Sequence, residues 1–194
     1  MHGLVNRSIQ CFLRDTYGAA VWSAVTRAAG IGFDSFEPML IYDAALTDAL
    51  VEGAAQVLER PRETVLEDLG TYLVSHPNLE RLRRLLRFGG VTFPDFLHSL
   101  EDLPERARLA LPEMELPDLH LADLGGGRFR LTCGVLIPGA GHVVTGLLRA
   151  MADDYGALAV LEHDGTAAGG EVVAIQLLDP RFAQGRRFDL TAEA

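Results

Sequence analysis

The chain has 194 residues, 48% of them hydrophobic and 23% charged, a balance typical of a folded domain with a sizeable core. Its formal net charge of −10 argues against nucleic acid as the main partner. All seventeen cationic side chains are arginine, which excludes Schiff-base lysine chemistry and a phosphate-binding P-loop lysine. No apolar run approaches the roughly 20 residues that span a bilayer, and the N-terminus lacks a signal-peptide pattern. We therefore expect a cytoplasmic protein without a membrane partner.

The first part of the chain has the apolar periodicity of helices. Helices are predicted over 4–17, 19–29, 43–58, 61–76, 78–88 and 93–117. In the last of these, apolar residues at spacings of three and four predict one amphipathic helix that begins after Thr92 as N-cap: Phe93, Phe96, Leu97, Leu100 and Leu103. Pro104 lies within that stripe, where a proline costs a continuous helix about 3 kcal/mol, so either this cost is tolerated for another reason or the helix ends nearby.

The pattern changes after Pro117. Alternating residues over 118–124 and 128–133 flank three glycines and predict a hairpin. A helix is predicted over 139–154, followed by a second hairpin of strands 157–162 and 171–178. The predicted fold class is α+β in a single domain, 1–194. A helical N-terminal lobe at about 1–63 precedes a sheet-containing lobe at about 64–194, whose roughly four-stranded antiparallel sheet is interrupted by one helix.

The residues do not assemble a catalytic motif. Nucleophile-elbow, Walker A, zinc-protease, CxxC and dinucleotide patterns are missing from the sequence. The six histidines are scattered, and the adjacent acid pairs Glu67-Asp68 and Asp153-Asp154 indicate a solvated surface. We therefore predict that the chain is not an enzyme, with no catalytic residues and no dedicated metal site.

Several motifs resemble one family in the correct order along essentially the whole chain. They are M-x-G-L-V-N-R-x-x-x-x-F-x-x-x-x-Y-G at 1–18, LRFGG at 86–90, FLHSLEDL at 96–103, LPEMELP at 111–117 and PGAGHVVTGLL at 138–148. These segments are similar to the haem–nitric oxide/oxygen-binding (H-NOX) domain, which resembles the sensor domain of soluble guanylate cyclase. The resemblance implies haem as cofactor, bound between two lobes.

The resemblance also assigns the site residues. The pocket lining that it implies is Val5, Ile9, Leu97, Leu100, Leu103, Pro104, Pro117, Val143 and Leu147. Pro104 falls at the position of the family's axial histidine, and Val143 at that of the distal tyrosine of oxygen-binding members. The propionate-binding Tyr-x-Ser-x-Arg motif falls on Cys133, Val135 and Ile137, which lack the two hydroxyls and the guanidinium that the motif supplies.

Other side chains are candidate replacements for the missing haem anchors. His98 and His142 are candidate haem-iron ligands, and His2 is a further one. Six residues of helix place His98 about 120° from the buried face, on the polar side with Asp95 and Asp102. Arginines of the LRRLLR segment are either a solvated basic face or substitutes for the propionate-binding guanidinium: Arg83, Arg84 and Arg87.

Two functions follow from the resemblance. The first is a stand-alone regulatory domain in which haem binding is lost or altered and the cleft holds an apolar ligand or a closed core. It would signal through a separate protein, a histidine kinase or a cyclic-dinucleotide enzyme. The alternative is a haem-based nitric oxide sensor with a non-standard axial ligand, for which the apolar Val143 predicts no stable oxygen binding.

Overall fold

The computed structural model describes residues 1–110, 116–135 and 137–178. Helices fill the first part of the chain: α1 (Gly3–Tyr17), α2 (Ala19–Ala28), α3 (Ala44–Leu58), α4 (Arg62–Ser75), α5 (Glu80–Arg87), α6 (Phe93–His98) and α7 (Leu103–Ala110). A short 3-10 turn at Pro77–Leu79 precedes α5. The strands β1 (Leu119–Gly125) and β2 (Arg128–Cys133) follow, then α8 (Ala140–Tyr155), β3 (Ala159–Ala167) and β4 (Gly170–Leu177).

The four strands form one antiparallel sheet in the order β1-β2-β4-β3. Leu131 lies opposite Leu121 on one side and Val173 on the other, so apolar residues of neighbouring strands share a face. Both predicted hairpins, the intervening helix and the α+β class are confirmed. The sheet meets the helices through α8, which packs on β3 and β4.

The predicted single helix over 93–117 is wrong. Helix α6 ends at His98, residues 99–102 form turns, and α7 begins at Leu103. Pro104 is therefore the second residue of a new helix, where its missing N–H removes no intrahelical hydrogen bond. The helix restarts because the proline ring would clash with the carbonyl of residue 100 in a continuous helix. Residues 111–115 lie outside the described part of the chain.

Two clusters of buried side chains form the core. The helical core joins α1–α4 to the start of α8, with Phe12, Leu13, Leu50 and Leu66 at its centre. The sheet-side core joins α6 and the later part of α8 to the inner face of the sheet. Helices α4 and α8 contribute to both cores and pack on each other. In the described ranges, no helix is long and apolar enough to cross a membrane.

Candidate functional site

The segment before Pro104 is fixed by a helix cap and by burial. The Thr92 hydroxyl accepts from the Asp95 N–H at 3.3 Å, and the Asp95 carboxylate accepts from the Thr92 N–H at 3.0 Å. These two bonds form the capping box expected from Thr92, and the bonds from Thr92 hold the pKa of Asp95 below its ordinary value of 3.8. Phe93 and Phe96 are buried against the Tyr155 ring of α8.

Pro104 lies at the position that the resemblance assigns to the axial histidine. Its side chain is buried in the first turn of α7. A saturated pyrrolidine ring carries no nitrogen or sulfur lone pair able to bind iron, because the proline nitrogen is part of the peptide bond. This residue therefore cannot hold haem in the manner of a histidine.

The predicted pocket lining is divided between the two cores. Leu97 and Leu100 are buried in the sheet-side core, with Leu103 and Leu147 packed against it. The remaining apolar positions belong to the helical core or lie beside it, with Ile9 buried and two others partly buried: Val5 and Val143. Pro117 is half-buried next to Gly134, just beyond the end of β2.

Val143 lies where α4 and α8 pack most closely. Gly70 of α4 faces the Val143 carbonyl, and a Cβ at position 70 would lie only 2.8 Å from the Leu147 nitrogen. Gly146 of α8 faces the Glu67 carbonyl in the same way, with 2.8 Å left between an added Cβ and the Glu67 carbonyl carbon. The two helices are thus in backbone contact, and no side chain fits between them at these two points.

The three positions assigned to the propionate motif do not converge. Cys133 is buried in the sheet-side core, and burial raises the pKa of its thiol to about 12, so it stays neutral. Val135 is 54% exposed, and Ile137 is buried in the helical core. None of the three offers a charge-bearing donor to a carboxylate.

The candidate histidines have other partners. His98 is exposed, as its helical position predicted, and its ring meets the edge of Phe129 at 5.9 Å. His2 caps α1 by accepting the Leu4 N–H at 3.2 Å. The His142 Nδ1 lies 3.2 Å from the Glu67 Oε1, and its ring stacks on His163 at 4.0 Å.

Sequence reasoning missed the carboxylate that caps α8. Glu171 of β4 accepts hydrogen bonds from the Gly139 and Gly141 N–H groups, each at 2.7 Å, and its second oxygen lies 3.1 Å from the His163 Nε2. A negative charge at a helix N-terminus is stabilised by the helix dipole. Glu171 is the single charged residue of the mainly apolar strand GEVVAIQL, and this signal could have identified it in the sequence.

One acid of the pair Asp153-Asp154, which was predicted to be solvated, has its side chain buried under α5. Asp154 keeps only 7% of its side chain exposed, and both Arg83 and Arg87 form ion pairs with it. Arg84 pairs with Glu80 one turn away on α5. The prediction of a fully solvated acidic surface at Asp153-Asp154 is therefore wrong at Asp154. Two of the arginines that were candidates for binding the propionates form ion pairs with this acid instead.

The described residues contain no group of three or more side chains suited to hold a metal ion.

The helical bundle packed through one long helix on a four-stranded sheet is the H-NOX fold. Solved structures of that class are similar: a mutant H-NOX protein from K. algicida in the unliganded Fe(II) state has a TM-score of 0.78 at 15% identity, covering 93% of this chain and 98% of that one. An H-NOX protein from S. oneidensis in the Fe(II)NO state has a TM-score of 0.75 at 18% identity, covering 92% of this chain and 100% of that one.

The model of the Haem-NO-binding family matches residues 2–163. The chain belongs to that family, whose members are sensor domains rather than catalytic ones.

Curated relatives are much longer than this chain. Soluble guanylate cyclase gcy-31 of Caenorhabditis elegans is 27% identical over 120 residues, which cover 62% of this chain and 17% of that protein. Soluble guanylate cyclase 89Da of Drosophila melanogaster is 21% identical over 183 residues, covering 92% and 27%. The chain therefore spans less than a third of the length of these two relatives. The family binds haem, but the side chains that the resemblance assigns to the axial and propionate positions, Pro104, Cys133, Val135 and Ile137, do not have the chemistry to hold a haem in the family's manner.

Proposed function

We propose that this chain is a regulatory domain of the H-NOX type in which haem binding is lost or altered. It acts in signal transduction by contacting a separate protein, either a histidine kinase or a cyclic-dinucleotide enzyme. The observation that carries the proposal is the buried Pro104 in the first turn of α7. The non-convergent Cys133, Val135 and Ile137 support it independently, because they remove the second anchor of the cofactor.

The packing around Pro104 also supports the proposal, because the protein forms a closed core there. The apolar residues of α6 and of the turn after it are buried in the sheet-side core: Phe93, Phe96, Leu97 and Leu100. A chain that had simply lost its cofactor would leave an apolar cavity, which destabilises a core by about 20 cal/mol for each square ångström of cavity surface. A closed core or an apolar ligand avoids that destabilisation.

The test is the haem content of protein produced with an ample supply of haem precursor. We expect a Soret band far below one haem per chain. A stoichiometric Soret band that survives desalting would contradict the proposal. Circular dichroism of the same sample checks that the protein is folded, so that a low haem content reports the site and not an unfolded chain.

One observation favours a second candidate, a haem-based nitric oxide sensor with a non-standard axial ligand. The bond from the His142 ring to Glu67 is the carboxylate–histidine pairing that commonly orients metal-binding imidazoles. His98 lacks such a pairing within the described residues, although it is freely exposed. If haem is bound, His142→Ala should lower its occupancy and His98→Ala should not; unchanged occupancy in both variants would reject this candidate.

A further inference from the structure

Three apolar side chains project into solvent at the end of α5. Phe88 is 87% exposed, Val91 80% and Leu85 43%. Leu85 and Phe88 lie three residues apart at the end of α5, and Val91 follows three residues later in the bend that leads to α6. We call Leu85, Phe88 and Val91 the α5 patch. Large apolar side chains grouped in this way mark interaction surfaces more often than isolated ones do.

The backbone between these side chains is held against the body of the protein. A Cβ at Gly89 would overlap the Ser99 hydroxyl, and one at Gly90 would lie 2.8 Å from the Asp95 carbonyl carbon. The Tyr155 hydroxyl donates to the Gly90 carbonyl at 3.0 Å. Because the turn lies directly on α6 and α8, the flanking side chains have no room on the inner side, and they point outward from an anchored backbone.

The helix itself is anchored by the arginines on its inner side. Arg83 and Arg87 form ion pairs with Asp154, and the Arg87 guanidinium lies 3.8 Å above the centre of the Tyr155 ring. Leu86 is buried in the sheet-side core. The outer side of α5 therefore has a fixed orientation, which lowers the entropy lost when a partner binds to it.

The outer side of α5 is also basic, in a chain whose net charge is −10. Two of the helix's four arginines, Arg81 and Arg84, are exposed beside the α5 patch, and the exposed Glu80 offsets one of these two charges through its ion pair with Arg84, so the outer side carries a net positive charge. An acidic partner is repelled by the net charge of the chain as a whole and attracted by the positive charge at this place. Apolar side chains flanked by cations complement a helix with an apolar stripe flanked by carboxylates.

Two other occupants fit less well. A second copy docked through the same patch would place Arg81 and Arg84 of both molecules together, because a two-fold contact pairs each surface with itself. An anionic membrane would attract α5 but repel the rest of a chain with ten negative charges in excess.

We propose that the α5 patch, with Arg81 and Arg84, is a docking surface for an acidic amphipathic helix of a separate protein. This inference rests on the proposed function, which requires a separate partner.

The probe is a fluorescent 18-residue synthetic helix with leucines at every third and fourth position and glutamates on the flanking positions. A matched peptide carries lysine in place of each glutamate. We measure the anisotropy of each peptide with the full chain at rising protein concentration. We expect the glutamate peptide to bind, the lysine peptide to bind at least ten-fold more weakly, and binding to weaken as salt is raised.

Paired variants separate the apolar and the basic contributions. F88S/V91S should weaken binding of the glutamate peptide at least ten-fold, and R81E/R84E should reverse the preference between the peptides. The matched controls R128E/R130E, on β2, and L124S, on β1, change exposed side chains elsewhere and should leave affinity unchanged. Circular dichroism of each variant checks that it is folded.

Three results would overturn the inference. The first is equal or undetectable binding of the glutamate peptide to the native chain and to F88S/V91S. The second is a dimer in sedimentation velocity that F88S/V91S abolishes, which would assign the patch to a second copy. The third is patch-dependent binding to phosphatidylserine vesicles. A stoichiometric Soret band would instead overturn the proposed loss of haem binding and leave the peptide result standing.

Discussion

Replacing Gly146 by alanine should destabilise the protein, although alanine is the better helix former. In an open helix this change stabilises by about 0.5–1 kcal/mol. Here the added Cβ would overlap the Glu67 carbonyl oxygen and lie 2.8 Å from its carbon, against about 3.5–4.0 Å for an ordinary carbon–carbon contact. Helices α4 and α8 would have to separate by about 1 Å to restore that spacing, and both cores depend on their contact.

The net effect follows from these two opposing terms. Overpacking costs typically about 1–3 kcal/mol, so we expect Gly146→Ala to lower the free energy of unfolding by about 1–2 kcal/mol. Gly70→Ala should act similarly, because its Cβ would overlap the Val143 carbonyl. The double variant should cost less than the sum of the two, since one separation of the helices relieves both overlaps.

Urea unfolding followed by circular dichroism measures these differences. The matched control is position 153, exposed on the same helix, where the difference between Asp153→Ala and Asp153→Gly gives the helix propensity alone. If Gly146→Ala stabilised the protein by as much as alanine over glycine at position 153, the close contact of α4 and α8 would be refuted.

Three further predictions concern charge and thiols. Asp154→Asn should lower stability by about 2–3 kcal/mol in urea unfolding, because it removes the acid that holds two arginines of α5. Burial raises the pKa of Glu67, but hydrogen bonds from neighbouring side chains outweigh it and hold the pKa below 4.5. The ionised Glu67 therefore stabilises the protein above pH 4.5, and this contribution is lost as the pH falls further. Glu67→Gln should reduce the fall in melting temperature between pH 5 and pH 3. An unchanged slope of melting temperature against pH would contradict this prediction. In a thiol assay at pH 8, Cys11 should react in the native protein and Cys133 only in denaturant, and rapid labelling of both would count against the structure.

Local patterns in the sequence predicted most of the fold. Alternation around three glycines predicted the β1–β2 hairpin, and the spacing of valines and leucines predicted α8. The same periodicity failed over 93–117, because apolar residues at spacings of three and four fit one helix or two helices joined by a short turn. Pro104 was the sign of the break, and the restart one residue before it follows from proline geometry.

The polar contacts of the site were beyond prediction because they join residues distant in sequence. Glu171 caps a helix that begins about 30 residues earlier, and its partner His163 stacks on His142. Asp154 was predicted to face solvent because adjacent acids on a helix point to different faces, a pattern typical of a solvated surface, but the position of α5 decides its burial. Such contacts depend on the tertiary packing of whole elements and have no periodic signal.

We propose that the residues assigned to the axial and propionate positions no longer hold a haem in the usual way. Titration of the purified native chain with haem, followed in the Soret region, tests it most directly because haem supply in the cell plays no part. We expect a gradual, unsaturated change in absorbance and no haem retained after desalting. A sharp end point at one haem per chain, with a Soret band that persists through desalting, would contradict it.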